Sequence, residues 1–309
     1  MEVIRDISQF PNLSYPVVTS GTFDGVHVGH QKILKRVLER ARQSNGQSVV
    51  ITFWPHPRLV LFPEDNNLKL LSTIEERIEQ LRKFGVDYLL IIPFTKEFSR
   101  MTSRSFVTDV LVRAINTKVL IIGYDHRFGK NREGSFEHLK LRSQQYGFEV
   151  EEIPRQDIDD IGVSSTKIRK ALESGKVRTA SKYLGRHYTI TSTVVEGNKL
   201  GRTIGFPTAN LAHPEAHKLV PANGVYAVWV QVESERFQGM MNIGTRPTVS
   251  GKQVTLEVNI LNFNRDIYGQ TITIEFVQRL REEQKFDGLD ALKAQLALDK
   301  DETSRLLKG

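Results

Sequence analysis

The 309-residue chain has no cysteine, which excludes disulfides, thiolate metal sites and cysteine nucleophiles. It also lacks any apolar run approaching the roughly 20 residues that a helix needs to cross a bilayer, so no membrane role is expected. Its opening, Met1-Glu2-Val3-Ile4-Arg5-Asp6, mixes charges instead of setting basic residues before an apolar core. No secretory leader is therefore expected, and a cytoplasmic location follows. Internal repeats and low-complexity linkers are missing as well. What is there is ordinary for a globular protein, with 39% hydrophobic and 26% charged residues. The length exceeds what one typical core supports and predicts two domains. A net charge of +7 suits an anionic partner, and nucleotides satisfy it as well as nucleic acids do.

Along the first 185 residues, short apolar runs alternate with helical patterns. Val17-Val18, Val49 to Phe53, Tyr88 to Ile92 and Val119 to Ile122 read as buried strands. One helix carries Ile33, Leu34, Val37, Leu38 and Ala41 at three- and four-residue spacing, and another carries Phe106, Val107, Val110, Leu111 and Ala114. A third is expected to start at Ser72, with Glu75 completing a capping box, and to stop at Gly85. Strand–helix alternation predicts a parallel sheet covered on both faces, with ligands beyond the carboxyl ends of its strands. After about Gly185 the pattern becomes β-branched and alternating, as in Tyr226–Val232, Thr255–Leu261 and Thr271–Phe276. That predicts an antiparallel sheet closed as a sandwich or a barrel. Leu289, Leu292, Leu296 and Leu306 mark an amphipathic terminal helix. The division is thus expected as 1–185 and 186–309.

The first strand runs straight into Gly21-Thr22-Phe23-Asp24-Gly25-Val26-His27-Val28-Gly29-His30, and a helix follows. Two histidines three apart at a helix start share a side, where backbone N–H groups already favour an anion. Gly29 between them permits close approach of a ligand. Such imidazoles can donate to phosphate oxygens as charge builds on phosphorus. On an arbitrary chain they would equally well cap the helix, but the strand-to-helix setting favours function. Zinc is disfavoured because no third ligand is suitably spaced. A second strand-end loop, Gly123-Tyr124-Asp125-His126-Arg127-Phe128-Gly129, and the helix start Ser164-Ser165-Thr166-Lys167-Ile168-Arg169 add further anion-ready groups.

These blocks, with Pro55-His56-Pro57 between them, resemble the nucleotidyltransferase domain of bacterial bifunctional riboflavin kinase/FMN adenylyltransferases, in the family's order. His126 stands where that family commonly has Phe. The resemblance implies a Rossmann-like domain in which the phosphate of FMN attacks the α-phosphate of ATP. His27 and His30 would stabilise the reacting phosphorus. Gly21, Phe23, Asp24, Gly29, Ser164, Ser165, Thr166 and Arg169 would serve the nucleotide, with Ser165, Thr166 and Arg169 on its outer phosphates. Asp125 would lie near the ribose or flavin. Phe53, Phe62 and Phe128 are candidates to stack on the flavin ring. With the substrate phosphate as nucleophile, positioning and charge neutralisation suffice.

In the β-rich half, Gly197, Gly201 and Gly205 fall four apart ahead of Pro207-Thr208-Ala209-Asn210. This is no P-loop, because Gly-Lys-Ser/Thr is missing. A glycine-rich turn is often only a turn, yet Thr208 and Asn210 add oxygens suited to a magnesium–ATP complex. Glu257 alone would read as a solvent-facing glutamate on an alternating strand. Gly205 to Asn210, Asn223-Gly224-Val225-Tyr226, Asn242 to Pro247, Glu257 through Gly269 and Arg281 to Phe286 resemble the riboflavin kinase domain of the same family. That implies a small β-barrel with a terminal helix. Glu257 would then take the proton of the riboflavin 5′-hydroxyl, a poor nucleophile unaided. Gly201, Gly205, Pro207, Thr208 and Asn210 would hold ATP and Mg2+, with Thr208 and Asn210 as metal ligands, and Arg281 would face the flavin. A transferase for another head group is disfavoured by the kinase-like half. A nucleic-acid binder is disfavoured because a Lys-rich loop and a recognisable RNA-binding motif are both missing, so no nucleic-acid partner is expected.

Overall fold

A computed structural model describes residues 1–64, 68–124, 127–130, 133–154, 162–197, 200–248 and 251–308. The chain forms two compact units, Met1–Ser165 and Thr166–Gly309.

In the first unit, six parallel strands form one sheet: β1 (Glu2–Ile4), β2 (Pro16–Ser20), β3 (Gln47–Trp54), β4 (Tyr88–Pro93), β5 (Val119–Gly123) and β6 (Glu149–Ile153). Their order is β1-β4-β3-β2-β5-β6. The apolar runs are continuous because alternate residues feed two cores. Val18, Val49, Ile51, Leu90, Leu120 and Ile122 face the helix that carries Phe106 to Ala114. Val50, Leu89 and Ile91 face α1 (Val28–Gln43) through Leu34, and α3 (Ile74–Phe84) through Ile78 and Leu81. Between them in sequence lies the short α2 (Pro57–Leu61). The helix around Phe106 opens at Ser103–Ser105 and continues with π-type bonding over Phe106–Ala114. From β2 the chain builds outward through β3 and β4, then returns to β2's other side as β5. That reversal opens a crevice beyond the carboxyl ends of β2 and β5.

One cap is displaced from its expected position. α3 is capped by Thr73, whose hydroxyl accepts the Glu76 N–H while Glu76 reaches back, so the box is Thr73/Glu76, not Ser72/Glu75. Ser72 is otherwise engaged: its N–H donates to the Asp24 carboxylate and its hydroxyl accepts from the Gly25 N–H. Gly85, left-handed at φ 92°, ends the helix as expected.

The second unit takes up helix Ser165–Glu173 from Thr166 onward and continues with helix Val177–Leu184, which packs on the barrel that follows. Six antiparallel strands close that barrel: β7 (Tyr188–Val195), β8 (Ala209–Leu211), β9 (Gly224–Val232), β10 (Glu235–Thr248), β11 (Gly251–Ile260) and β12 (Thr271–Arg281). They run β10-β11-β8-β7-β12-β9, which settles barrel over sandwich and leaves no open edge. Tyr226, Val228, Val230, Ile274 and Phe276 are wholly buried, with the Tyr226 and Phe276 rings edge to face at 5.4 Å. The terminal helix, Leu289–Leu306, is present, but its buried stripe differs from the leucine reading. Asp299 and Thr303 are its buried members, and Leu289 is 63% exposed. Arg281 accounts for this, because it draws the Asp299 carboxylate inward with a two-pronged bond of 3.0 and 2.8 Å.

Candidate active sites

At the carboxyl end of β2 the backbone is forced into unusual conformations. Phe23, Gly25 and Val26 have φ of 47°, 80° and 39°, and a β-branched residue there is strained. The surroundings hold the turn in place. Asp24, buried, accepts the Leu71 and Ser72 N–H groups at 2.9 and 3.1 Å. The Thr52 hydroxyl donates to the Thr22 carbonyl at 3.2 Å, the Gln31 amide to that of Val26 at 2.9 Å, and the Gly21 N–H to that of Ile51 at 3.0 Å. Ser165, in the first turn of its helix, donates its hydroxyl to the Asp24 carbonyl at 3.2 Å.

The turn delivers two imidazoles. His27 is the N-cap of α1, and its Nδ1 accepts the His30 N–H at 3.4 Å. An accepting Nδ1 places the proton of the neutral ring on Nε2, which makes that nitrogen a donor. The His27 and His30 rings stack at 3.7 Å, nearly parallel at 16°, and Phe23 tilts against His30 at 5.1 Å. Burial holds His30 well below the usual imidazole pKa of 6.5, and the charges of His27 and Arg77 add to this. His30 is therefore neutral at pH 7. Gly29 lies buried between them.

Beyond β3 and β5 stands an aromatic wall. Phe53 touches Phe94, Phe98 and Phe106 at 6.0, 5.8 and 6.5 Å, and Phe106 reaches Phe128 at 5.7 Å. Phe53 and Phe128 thus belong to one aromatic cluster, whereas Phe62 is 59% exposed at the end of α2. Asp125 and His126 lie outside the described residues. Ser164 and Thr166 are exposed at their helix start, and Arg169 is half-buried.

In the second unit, strand register gathers the polar residues. Glu257 on β11 lies directly opposite Asn210 on β8 and Asn242 on β10, so the three share a face. The Asn210 amide rests on Gly197, where any Cβ would run into it. A Cβ at Gly201 would strike the Phe206 carbonyl and approach the Thr208 hydroxyl. Gly205 is left-handed at φ 83°. These glycines fold an arch down onto Thr208 and Asn210, whose hard oxygens are the donor type magnesium takes. A cleft of about 640 Å³ borders the arch, lined by Arg202, Pro207, Thr208, Asn264 and Tyr268. Val258 and Ile260 also line it, whereas Glu257 alternates to β11's other face. Arg281 is engaged by Asp299 and stands over the Phe286 ring at 5.5 Å.

Several residues at these sites had not been singled out in the sequence. Arg77 is fully buried in α3 and donates to Thr52 at 3.1 Å. Its signal was visible: a charge in the same phase as Ile74, Ile78 and Leu81. Asn259 donates its amide to the Pro207 carbonyl at 2.6 Å. A second polar residue in step with Glu257 on an apolar strand was its signal.

The FAD synthetase family matches residues 10–167, and the riboflavin kinase family matches residues 184–307. A bifunctional riboflavin kinase/FMN adenylyltransferase of Escherichia coli strain K12 is 40% identical over 297 residues, covering 96% of this chain and 94% of its own. Proteins of the same description from Listeria monocytogenes and Bacillus subtilis are 40% and 36% identical, covering 93% and 94% of this chain and 91% and 92% of their own. A crystal structure described as a macrolide-efflux protein from Streptococcus pneumoniae superposes with a TM-score of 0.87, at 34% identity and 97% coverage of both chains. Among the described residues no helix is long and apolar enough to cross a membrane.

Proposed function

The chain belongs to the bifunctional riboflavin kinase/FMN adenylyltransferases, which turn riboflavin into FMN and FMN into FAD with ATP, and from that premise we propose how its residues divide the two reactions. Residues 1–185 are assigned to adenylyl transfer and 186–309 to riboflavin phosphorylation. Both are placed in the cytoplasm, where ATP is available, and the basic charge is assigned to anionic substrates rather than to nucleic acid.

The observation that carries the first assignment is the stacked His27/His30 pair at the carboxyl end of β2. An oxygen of the FMN phosphate attacks the α-phosphorus of ATP, and the bond to pyrophosphate breaks. The His27 Nε2–H donates to the oxygens on which charge accumulates, beside the N–H groups of α1. Ser165, Thr166 and Arg169 hold the departing phosphates, and Gly29 keeps the floor low. Phe23 seats His30, and Asp24 serves the nucleotide by fixing the turn. Phe53 and Phe128 offer the isoalloxazine an aromatic wall, with Phe62 as an exposed flank. Asp125 keeps its assignment to the ribose or flavin side.

In the barrel, Glu257 accepts the proton of the riboflavin 5′-hydroxyl as that oxygen attacks the γ-phosphorus of ATP, and ADP leaves. Thr208 and Asn210 are assigned to Mg2+, which when bound neutralises phosphate charge. Gly201, Gly205 and Pro207 shape the arch around the triphosphate. With the cleft on the Thr208 side and Glu257 on the other, ATP and riboflavin approach the arch from opposite faces. With its guanidinium on Asp299, Arg281 is read as acting on the flavin side by fixing the terminal helix.

The test is a pair of substitutions assayed with riboflavin or FMN, ATP and Mg2+. Glu257→Gln should lower FMN formation by about 10²–10⁴-fold and leave FMN adenylylation near wild type. His30→Ala should lower adenylylation by about 10²–10³-fold and spare FMN formation. Equal loss of both activities in either variant refutes the division.

A further inference from the structure

Arg77 occupies a position where arginine is costly. It shares the buried stripe of α3 with Ile74, Ile78 and Leu81, is 0% exposed, and has no ion-pair partner among the described residues. Its Nη1 donates to the Thr52 hydroxyl at 3.1 Å, and its guanidinium stands 5.5 Å from the Trp54 ring centre. Its buried Nε and Nη2 have no acceptor. Thr52 passes the contact on, donating to the Thr22 carbonyl at 3.2 Å, at the base of the strained turn that presents the histidines. A structural role at this position would be served by leucine at lower cost, so the charge itself calls for a reason.

We propose that Arg77 is a positioning residue for adenylyl transfer: through Thr52 it pins the Thr22 carbonyl, and its charge acts on His30. This rests on the assignment of those histidines to the reacting phosphate. The ionisable groups that act on His30 are His27 at its own helix start and Arg77 from α3, while Asp24 from the turn acts on Arg77. Burial is the largest cause of the low His30 pKa, followed by His27 and then Arg77. Removing the cation leaves the first two, so His30 becomes easier to protonate. A protonated ring would press its charge onto the His27 ring stacked 3.7 Å away and leave a buried N–H on an Nδ1 that has no partner. Activity that needs a neutral His30 fades as pH falls through the His30 pKa. Without Arg77 that fading starts at higher pH.

The experiment uses the full chain and measures kcat and KM for FAD formation from FMN and ATP between about pH 5.5 and 9. Arg77→Met, Arg77→Lys and Thr52→Val are compared with the wild type, and the His27 and His30 ring signals are titrated by NMR without substrate. Riboflavin phosphorylation by the same preparations reports on the barrel. Arg77→Met is expected to lower kcat by about tenfold near pH 6, to change KM less than about threefold, and to move the acidic limb and the His30 titration upward together. Arg77→Lys should keep the limb in place while losing part of kcat, and Thr52→Val should lower kcat with the limb unmoved. An unmoved limb and titration in folded Arg77→Met overturns the proposal. If that variant does not fold, wild-type kcat in both Arg77→Lys and Thr52→Val overturns it. The two readings fail separately: wild-type adenylylation in His30→Ala removes the histidine assignment itself, whereas an inactive His30→Ala beside normal Arg77 variants removes only the role of Arg77.

Discussion

Asn259 stands two residues beyond Glu257 on β11, buried, with its amide on the Pro207 carbonyl at 2.6 Å. Pro207 has no N–H with which to anchor itself, so this bond is what ties the strand to the start of the Pro-Thr-Ala-Asn arch. Asn259→Asp replaces the donor with a carboxylate facing a carbonyl, and a buried unsatisfied carbonyl alone costs about 1–3 kcal/mol. We expect kcat/KM for riboflavin phosphorylation to fall at least tenfold, mainly through KM for ATP, with FMN adenylylation unchanged. Steady-state kinetics on both half-reactions checks this. The candidates legible at this scale came from chemistry out of place, paired histidines at a helix start and hydroxyls beside cations, whereas Glu257 stood out only through the family resemblance. Arg77 and Asn259 were harder to read because their partners, Thr52 and Pro207, lie 25 and 52 positions away in sequence and no spacing links them.

Elements were legible where one periodicity acted alone. The four central strands and α3 lie where their apolar runs fall, because both faces of the sheet are covered. The 14-residue β10 contains Gly239, Gly244 and Pro247 and was not picked out by its pattern, yet β9 and β11 pair along both its sides. The start of α3 slipped by one residue because Asp24, distant in sequence, claims Ser72. The terminal helix gives the sharpest case, since its buried stripe is built on a carboxylate. Asp299 is 4% exposed and takes both prongs of Arg281 together with the Gln295 amide at 2.9 Å. Removing one partner strands the other, so Asp299→Ala should cost about 3 kcal/mol, whereas Arg281→Met with Asp299→Leu should cost clearly less. Denaturant midpoints of the two variants, followed by signals of the second unit, measure the difference. A larger loss in the double variant would contradict this account of the helix.

At the scale of the whole chain, each unit carries a phosphorus chemistry suited to its nucleophile. The phosphate of FMN is already nucleophilic, and the site proposed for it offers stacked imidazoles and helix-start donors. The riboflavin hydroxyl is not, and the site proposed for it offers a carboxylate, Glu257, flanked by two asparagines. Because FMN is the product of one reaction and the substrate of the other, the two sites are coupled at least through solution. Glu257→Gln and His30→Ala chains are each expected to stop short of FAD when given riboflavin and ATP, the first before FMN and the second at it. Mixed in equal amounts, they should form FAD after a lag in which free FMN builds up, and raising the concentration of the Glu257→Gln chain should shorten that lag. Chromatography of riboflavin, FMN and FAD over time follows all three. A mixture that accumulates FMN while FAD never appears would mean that FMN must be handed over within one chain, and independent sites exchanging FMN through solution would no longer describe the enzyme.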